Sequence, residues 1–193
     1  VIPYICEIIS STYPRMPSMN YSWSKNNLHC ISLEKNSDLT KKKILHFIKT
    51  IKIEYLSVGI INRLFEWGID SLDKILCITK EELLTIDGIK ETLASKIYSS
   101  IHKITDKPIY LGTLMVASLE FNSGMGIKKI DKILDKYPHI MNCITNHGIK
   151  KKNDVNTLEN IDKISSIDGL QEKTARQFVE NLGNFNDFIG KHH

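Results

Sequence analysis

The fold is decided by one stretch, Thr85-Ile86-Asp87-Gly88-Ile89-Lys90-Glu91-Thr92-Leu93-Ala94-Ser95-Lys96-Ile97, because a related stretch occurs again later in the chain. The second copy is Ser166-Ile167-Asp168-Gly169-Leu170-Gln171-Glu172-Lys173-Thr174-Ala175-Arg176-Gln177-Phe178, at a constant offset of 81 residues. Five positions are identical, namely the Ile, Asp, Gly, Glu and Ala that each copy contains. Repetition of this kind indicates a duplicated supersecondary unit.

Two weaker copies follow the same frame. In residues 123–133, Gly124 stands at the glycine position and Ile130 lies six residues later, where the strong copies have alanine. In residues 54–61, Tyr55 and Ser57 replace the glycines, so this copy is eroded. The four turn positions are 33, 36 and 45 residues apart in the order Tyr55, Gly88, Gly124 and Gly169.

The sequence around these copies predicts a mainly α chain. From Leu39 onward, apolar residues recur at the spacing of short amphipathic helices that are separated by glycine turns. Residues 1–9 are rich in β-branched side chains and indicate a short β arm, whereas residues 10–27 carry Pro, Ser and Asn and indicate an irregular connector. The expected architecture is a tandem bundle of helical hairpins after a short β arm.

The repeated frame resembles the helix-hairpin-helix motif. Its first helix ends at a glycine that can take positive φ, and its second helix starts two residues later with its first amide N–H groups facing outward. These amides and the helix dipole form a nest for a phosphate oxygen, and such a contact holds the backbone of a nucleic acid without reading its sequence. The residue after the glycine plugs the hairpin, and Ala94 or Ala175 lets the helices pack closely.

The predicted DNA-binding residues are therefore the turn residues and the nearby polar and basic side chains. No catalytic residue and no metal ligand is predicted in this chain. The predicted set is Gly88, Ile89, Lys90, Lys96, Gly124, Gly126, Lys128, Lys129, Gly169, Leu170, Lys173, Thr174 and Arg176.

In order and spacing, these segments resemble the C-terminal part of a bacterial-type NAD-dependent DNA ligase over nearly the whole chain. Val1-Ile2-Pro3 resembles the end of that family's OB-fold, and Ile78-Thr79-Lys80-Glu81-Glu82-Leu83-Leu84 resembles its Leu-Thr-Lys-Glu-Asp-Leu-Leu run. The resemblance implies three parts. Residues 1–10 would be the end of an OB-fold-like strand, residues 11–50 a degenerate zinc-finger lobe with a linking helix, and residues 51–190 a helix-hairpin-helix domain of four hairpins.

The resemblance also implies a partner and a cofactor. The implied partner is nicked duplex DNA, which the parent enzyme would meet during replication and repair. The implied cofactor of the parent enzyme is NAD. The family's lysine-bearing adenylation motif and NAD-binding domain are not in this sequence, so we expect no NAD on this chain and no catalysis by it alone.

Two departures from the family concern the zinc site and the first hairpin. The family's zinc site opens with C-P-x-C, where this chain has Met16-Pro17-Ser18-Met19. Cys30 fits the third ligand, but Lys35 stands in place of the fourth, and one thiolate beside His29 cannot close a tetrahedral site. We expect no bound zinc, with the methionines, Tyr21 and Trp23 packing in its place. With Tyr55 and Ser57 at its turn, the first hairpin is expected to be architectural.

Composition is consistent with this interpretation and excludes other classes. Among 193 residues, 26 are basic and 22 acidic, and the first 50 hold 7 basic against 3 acidic groups, so a polyanionic partner is favoured. No apolar stretch has the roughly 20 residues of a membrane span. We expect an intracellular monomer, located in the cytoplasm or nucleus wherever DNA is replicated or repaired. The chain begins with Val1, so we expect a fragment, and Lys191-His192-His193 is either native or the remnant of a tag.

Several single residues have simpler structural interpretations. The four cysteines, Cys6, Cys30, Cys77 and Cys143, are far apart and are expected to be buried reduced thiols. We expect a structural hydrogen-bonding role for His46 and core positions for Phe65 and Trp67. The runs Lys41–Lys43 and Lys150–Lys152 are either solvated or in contact with phosphate.

Two other functions remain open. One is a DNA-repair scaffold or nuclease accessory module built from the same hairpins. The other, less favoured, is a DNA glycosylase, which needs a hairpin lysine as nucleophile and a downstream aspartate, for which Lys90 and Asp106 are the nearest pair.

The zinc expectation is tested by elemental analysis of the purified protein. We predict far less than one zinc per chain, because the residues offer one cysteine where the family has four. One zinc per chain after dialysis would contradict the prediction.

Overall fold

The computed structural model describes residues 20–24, 30–32, 36–121, 124–141 and 155–191. The chain divides into two compact units, Val1–Leu39 and Thr40–His193. The expected strand at residues 1–10 lies outside the described residues. So do Met16, Met19, His29, Lys35, Cys6, Cys143 and the run Lys150–Lys152.

The described part of the first unit is a small antiparallel ribbon. Strand β1 (Tyr21–Trp23) pairs with β2 (Cys30–Ser32), and Trp23 lies opposite Cys30. Tyr21 and Trp23 lie two residues apart on the same face, with their ring centroids 6.0 Å apart in an edge-to-face arrangement. The prediction of an irregular connector is thus wrong at Tyr21–Trp23, where aromatic residues with high β propensity find a pairing partner.

The chain beyond the ribbon confirms the prediction of a mainly α fold. The helices of the described residues are α1 (Ser37–Ile51), α2 (Val58–Glu66), α3 (Leu72–Leu76), α4 (Lys80–Thr85), α5 (Glu91–Thr105), α6 (Leu111–Ser118), α7 (Ile127–Lys136), α8 (Val155–Ser165) and α9 (Glu172–Lys191).

Four helix pairs are joined by turns of one kind, and these pairs are called hairpins 1 to 4: α1–α2, α4–α5, α6–α7 and α8–α9. In each, the turn position identified from the sequence has positive φ, at 66° for Tyr55, 78° for Gly88, 103° for Gly124 and 80° for Gly169. Lys52, after α1, and Leu119, after α6, also have positive φ. The residue after each turn position is buried, with 4 to 6% of its surface exposed, and this confirms the predicted plugs Ile89, Met125 and Leu170. Leu56 of hairpin 1 is buried in the same way. Ala94 and Ala175 are fully buried, as the motif predicts.

The hairpins pack in pairs around two hydrophobic cores. One core is formed by buried side chains of α1 to α5 together with Ala117 of α6, and the other by the remaining buried side chains of α6 to α9 and their turns. Leu114 of α6 and Phe188 of α9 pack against both cores. Since full burial of one such side chain contributes about 1.5 to 3 kcal/mol, separating the hairpins of a pair would expose side chains that now stabilise the fold.

His46 has the structural role that its sequence context predicts. Its Nε2 lies 3.1 Å from the carbonyl oxygen of Val116, so the imidazole joins α1 to α6. The hydroxyl of Thr50, one helical turn further along α1, lies 3.4 Å from the same nitrogen. A hydrogen bond between α1 and α6 thus links a helix of the first core to one of the second.

Three side chains that were expected in the core are exposed. Trp67 is 56% exposed because α2 ends at Glu66 and Trp67 is its C-cap, where the helical periodicity no longer applies, whereas Phe65 is half-buried against the first core. Cys30 and Cys77 are exposed free thiols, so the expectation of buried cysteines is wrong for these two. Among the described helices, none combines the length and apolar character needed to cross a membrane.

The N-terminus of α4 gives a prediction about pH. Glu82 accepts hydrogen bonds from the N–H and hydroxyl of Thr79 at 2.8 and 2.9 Å, and these bonds lower the pKa of Glu82 below its ordinary value. Because the pKa of Glu82 is lower in the folded state than in the unfolded state, ionised Glu82 stabilises the fold at pH values above its unfolded-state pKa. This stabilisation is lost as the pH falls through the folded-state pKa. Glu82→Gln should therefore lower the urea midpoint at pH 7 and lose that difference at pH 3.

The neighbouring exposed Glu81 supplies the control, since Glu81→Gln removes the same charge outside the capping box. A difference between wild type and Glu82→Gln that stays constant from pH 7 to pH 3 would contradict the assignment.

The turn conformation is tested by replacing two glycines with alanine, since the two replacements are expected to change the free energy of unfolding in opposite directions. Gly124 has a φ of 103°, and among the described residues no atom lies within 4 Å of an added Cβ. Gly124→Ala should lower the free energy of unfolding by about 1 kcal/mol through backbone strain alone. Gly183, inside α9, has equal space and no positive φ, so Gly183→Ala should raise it by about 0.5 to 1 kcal/mol.

Urea unfolding of both variants measures the two changes. If both substitutions changed the free energy of unfolding in the same direction, alanine at residue 124 would carry no conformational strain and the prediction would be wrong.

Candidate functional site

The turns of hairpins 2 and 4 have the same hydrogen-bond pattern. The N–H of Ile89 donates to the carbonyl of Ile86 at 3.0 Å, and the N–H of Leu170 donates to that of Ile167 at 3.0 Å. Both amides are used inside the turn, and both side chains are buried. The predicted site residues Ile89 and Leu170 therefore shape the turn, and any amide that meets a ligand comes from a later residue.

The helices that follow the turns of hairpins 2 and 3 begin without a side-chain cap. Lys90 is the N-cap of α5 and Gly126 the N-cap of α7, and in the described part of the chain neither start receives a side-chain hydrogen bond. The first N–H groups of a helix have no partner within it, and the helix dipole makes this end positive. Both starts can therefore bind an anion.

The turn of hairpin 1 is closed in a different way. The hydroxyl of Ser57 accepts the N–H of Ile60 at 3.4 Å, so α2 is capped by its own chain. Tyr55 keeps the positive φ of the glycine that it replaces, and the Nζ of Lys96 lies 5.5 Å from the centre of its ring. This turn has the shape of the others but offers fewer donors.

The predicted side chains at the turns differ in their surroundings. Lys90, Lys128 and Lys173 are exposed, while Thr174 is half-buried in α9. Lys129 folds back, and its Nζ donates to the carbonyl of Gly124 at 2.8 Å.

Carboxylates in the first turns of α5 and α9 are neutralised by neighbouring cations. Glu91 pairs with Lys80 of α4 at 2.5 Å, and Glu172 pairs with Arg176, one turn further along α9, at 3.0 Å. The pairing offsets part of the repulsion that these exposed carboxylates would exert on an anion at the same helix ends.

Two basic residues at the turns were missed by the sequence interpretation. Arg63 of α2 donates from Nη1 to the carbonyl of Asp87 at 3.5 Å, and Lys132 of α7 donates from Nζ to the carbonyl of Asp168 at 2.9 Å. Each reaches the turn of another hairpin, directly before its glycine. The repeat spacing could have indicated both residues, since Arg63 and Lys132 each stand eight positions after the turn residue of their own hairpin.

The structure separates the lysine and aspartate that a glycosylase would need. Lys90 is the N-cap of α5 and Asp106 its C-cap, so the whole helix of 15 residues lies between them. At 1.5 Å per residue this is about 24 Å, too far for the two side chains to act on one sugar.

The described residues contain no group of three or more His, Cys, Asp or Glu side chains that could hold a metal ion. Most of the lobe in which the family holds zinc lies outside these residues, so the absence of zinc stays a prediction.

Comparison with known proteins points to one kind of protein. The chain is 38% identical over 193 aligned positions to a DNA ligase of Acanthamoeba polyphaga mimivirus, which covers 97% of this chain and 29% of that protein. It is 31% identical over 175 positions to a protein of Invertebrate iridescent virus 6 named as a DNA ligase, covering 90% of this chain and 24% of that protein.

A bacterial DNA ligase, that of Wolinella succinogenes, is 26% identical over 158 positions that cover 80% of this chain and 20% of the ligase. No protein-family model matches the chain. The chain is thus similar to one portion of proteins named DNA ligase, and it spans less than a third of the length of these relatives.

Proposed function

We propose that this chain is the duplex-binding portion of an NAD-dependent DNA ligase, which holds the phosphate backbone around a nick during replication and repair. The observation that carries the proposal is the repeated turn at Gly88 and Gly169. Each turn combines a positive φ with a buried plug and leads into a long helix. The relatives named DNA ligase, which match most of the chain, support the same function.

The chemistry of the turns suits a nucleic-acid backbone better than a base. An amide N–H at a helix start is a fixed donor that matches a phosphate oxygen, and it carries no pattern that distinguishes one base pair from another. A ligase must act at nicks in any sequence, so contacts to phosphate alone meet its requirement. Turns repeated along the chain let one molecule hold several phosphates at once.

The exposed lysines at the turns add charge to these donors. Lys90 and Lys128 lie next to the starts of α5 and α7, and Lys173 lies in the first turn of α9. Each phosphate neutralised by a lysine or arginine releases condensed counterions, which makes binding depend on salt. Hairpin 1, which is capped by Ser57, supports its partner and takes no phosphate in this proposal.

The remaining parts of the reaction belong to the rest of the parent enzyme. Adenylyl transfer from NAD needs the adenylating lysine and its nucleotide pocket, which the ligase family carries in other domains. This chain would act as a monomeric intracellular clamp without NAD or zinc of its own. A scaffold or nuclease accessory module is the alternative, and it would bind a protein in place of DNA.

Fluorescence anisotropy with nicked and intact duplexes across about 50 to 200 mM salt tests the proposal. We predict micromolar or tighter binding that weakens steeply with salt. The double variant Gly88→Ala/Gly169→Ala should bind about tenfold or more weakly, because loss of a charge-assisted hydrogen bond costs about 1.5 to 3 kcal/mol.

The matched control is Gly183→Ala/Gly190→Ala, which changes two helical glycines of α9 without positive φ. It should bind as wild type does, and circular dichroism should show that all variants keep their helices. Equal affinity of both double variants would contradict the role of the turns, and absence of DNA binding by wild type would favour the alternative module.

A further inference from the structure

We propose that Arg63 and Lys132 are phosphate-contacting residues that serve the turns of hairpins 2 and 4 from the neighbouring hairpin. This inference rests on the proposed function and adds two binding residues to it. Each cation would share a backbone phosphate with a turn that belongs to another hairpin of the same pair.

The first observation is the position of the guanidinium of Arg63. It lies directly over the turn of hairpin 2, so that a Cβ on Gly88 would overlap Nη1. The φ of 78° is what favours glycine at residue 88, whereas the exposed guanidinium of Arg63 could move away from an added Cβ. A guanidinium at this position is within reach of a phosphate that the turn binds.

The second observation is that Lys132 occupies the equivalent position in the other pair. It stands eight residues after Gly124, as Arg63 stands eight residues after Tyr55. Its Nζ donates to the carbonyl of Asp168 and would be 3.4 Å from a Cβ on Gly169. The same contact therefore occurs in both hairpin pairs, which indicates an inherited feature of the duplicated unit.

The third observation is that these cations retain donors beyond the bond to the turn. Arg63 has five N–H donors, and the bond to the Asp87 carbonyl uses one of them. Among the described residues, no carboxylate lies within ion-pair distance of Arg63. Lys132 lies 3.9 Å from the exposed carboxylate of Asp168, and its own side chain is 51% exposed.

A purely structural role does not explain this arrangement well. A single hydrogen bond of 3.5 Å from an exposed arginine to a carbonyl contributes little to stability. Arginine presents several donors in a planar fork that matches a phosphate, and both cations lie where the proposed function places one. The geometry therefore favours a phosphodiester group of the DNA backbone as the shared ligand.

The salt dependence of DNA binding separates contact from structural support. We predict that Arg63→Gln and Lys132→Gln each weaken binding at low salt by about three- to tenfold and reduce the salt slope by about one. Arg63→Lys keeps the charge and should keep the slope. A residue that only supports the turn would change affinity without changing the slope.

Lys74 provides a matched control. It is an exposed lysine whose Nζ also donates to the carbonyl of a glycine with positive φ, Gly68, at 2.9 Å, but it belongs to none of the four hairpin turns. Lys74→Gln should leave affinity and slope unchanged, and thermal unfolding should show that all four variants remain folded.

Weaker binding of Arg63→Gln with an unchanged slope, or unchanged binding, would overturn the inference. If wild type binds DNA and Gly88→Ala/Gly169→Ala does not, while Arg63→Gln and Lys132→Gln bind normally, this inference fails and the proposed function stands. If wild type binds no DNA, the proposed function fails and this inference fails with it.

Discussion

A backbone with positive φ between two helices is the constraint on which the rest of this structure depends. Such a residue turns the chain within a few positions, and the apolar side chain after it is then directed into the space between the helices. Burial of that side chain closes the hairpin, and two hairpins together enclose a core. The start of the second helix is left at the surface as a consequence of the same turn. The exposed helix start and the core thus have one origin.

The four hairpins together show that the positive-φ turn does not depend on glycine. Tyr55 keeps a φ of 66° although it is not glycine, and Leu56 keeps the buried plug of the other copies. Beside Tyr55, Ser57 caps α2 and the Nζ of Lys96 lies over the tyrosine ring. Hairpin 1 therefore has the same turn geometry although Tyr55 stands where hairpins 2 to 4 have glycine.

The features that follow from local rules could be predicted from the sequence. Helical periodicity, turn glycines and repeated spacing locate the helices, the plugs and the buried alanines, because each is fixed by residues close together in the chain. Trp67 was misplaced because a C-cap follows no periodicity, and the strand Tyr21–Trp23 was missed because pairing with Cys30–Ser32 decides it. Arg63 and Lys132 reach turns 24 and 36 residues away, and the composition of either segment alone does not indicate such a contact.

Helix α9 carries a mechanical consequence of the two-core arrangement. Its 20 residues form a rod of about 30 Å that begins at the turn of hairpin 4. Near its other end, the ring of Phe188 lies 6.1 Å from that of Phe47 in the first core, while Phe185 packs in the second. Because α9 reaches both cores, any motion that pulled the two cores apart would have to separate Phe188 from Phe47 and expose both rings to water.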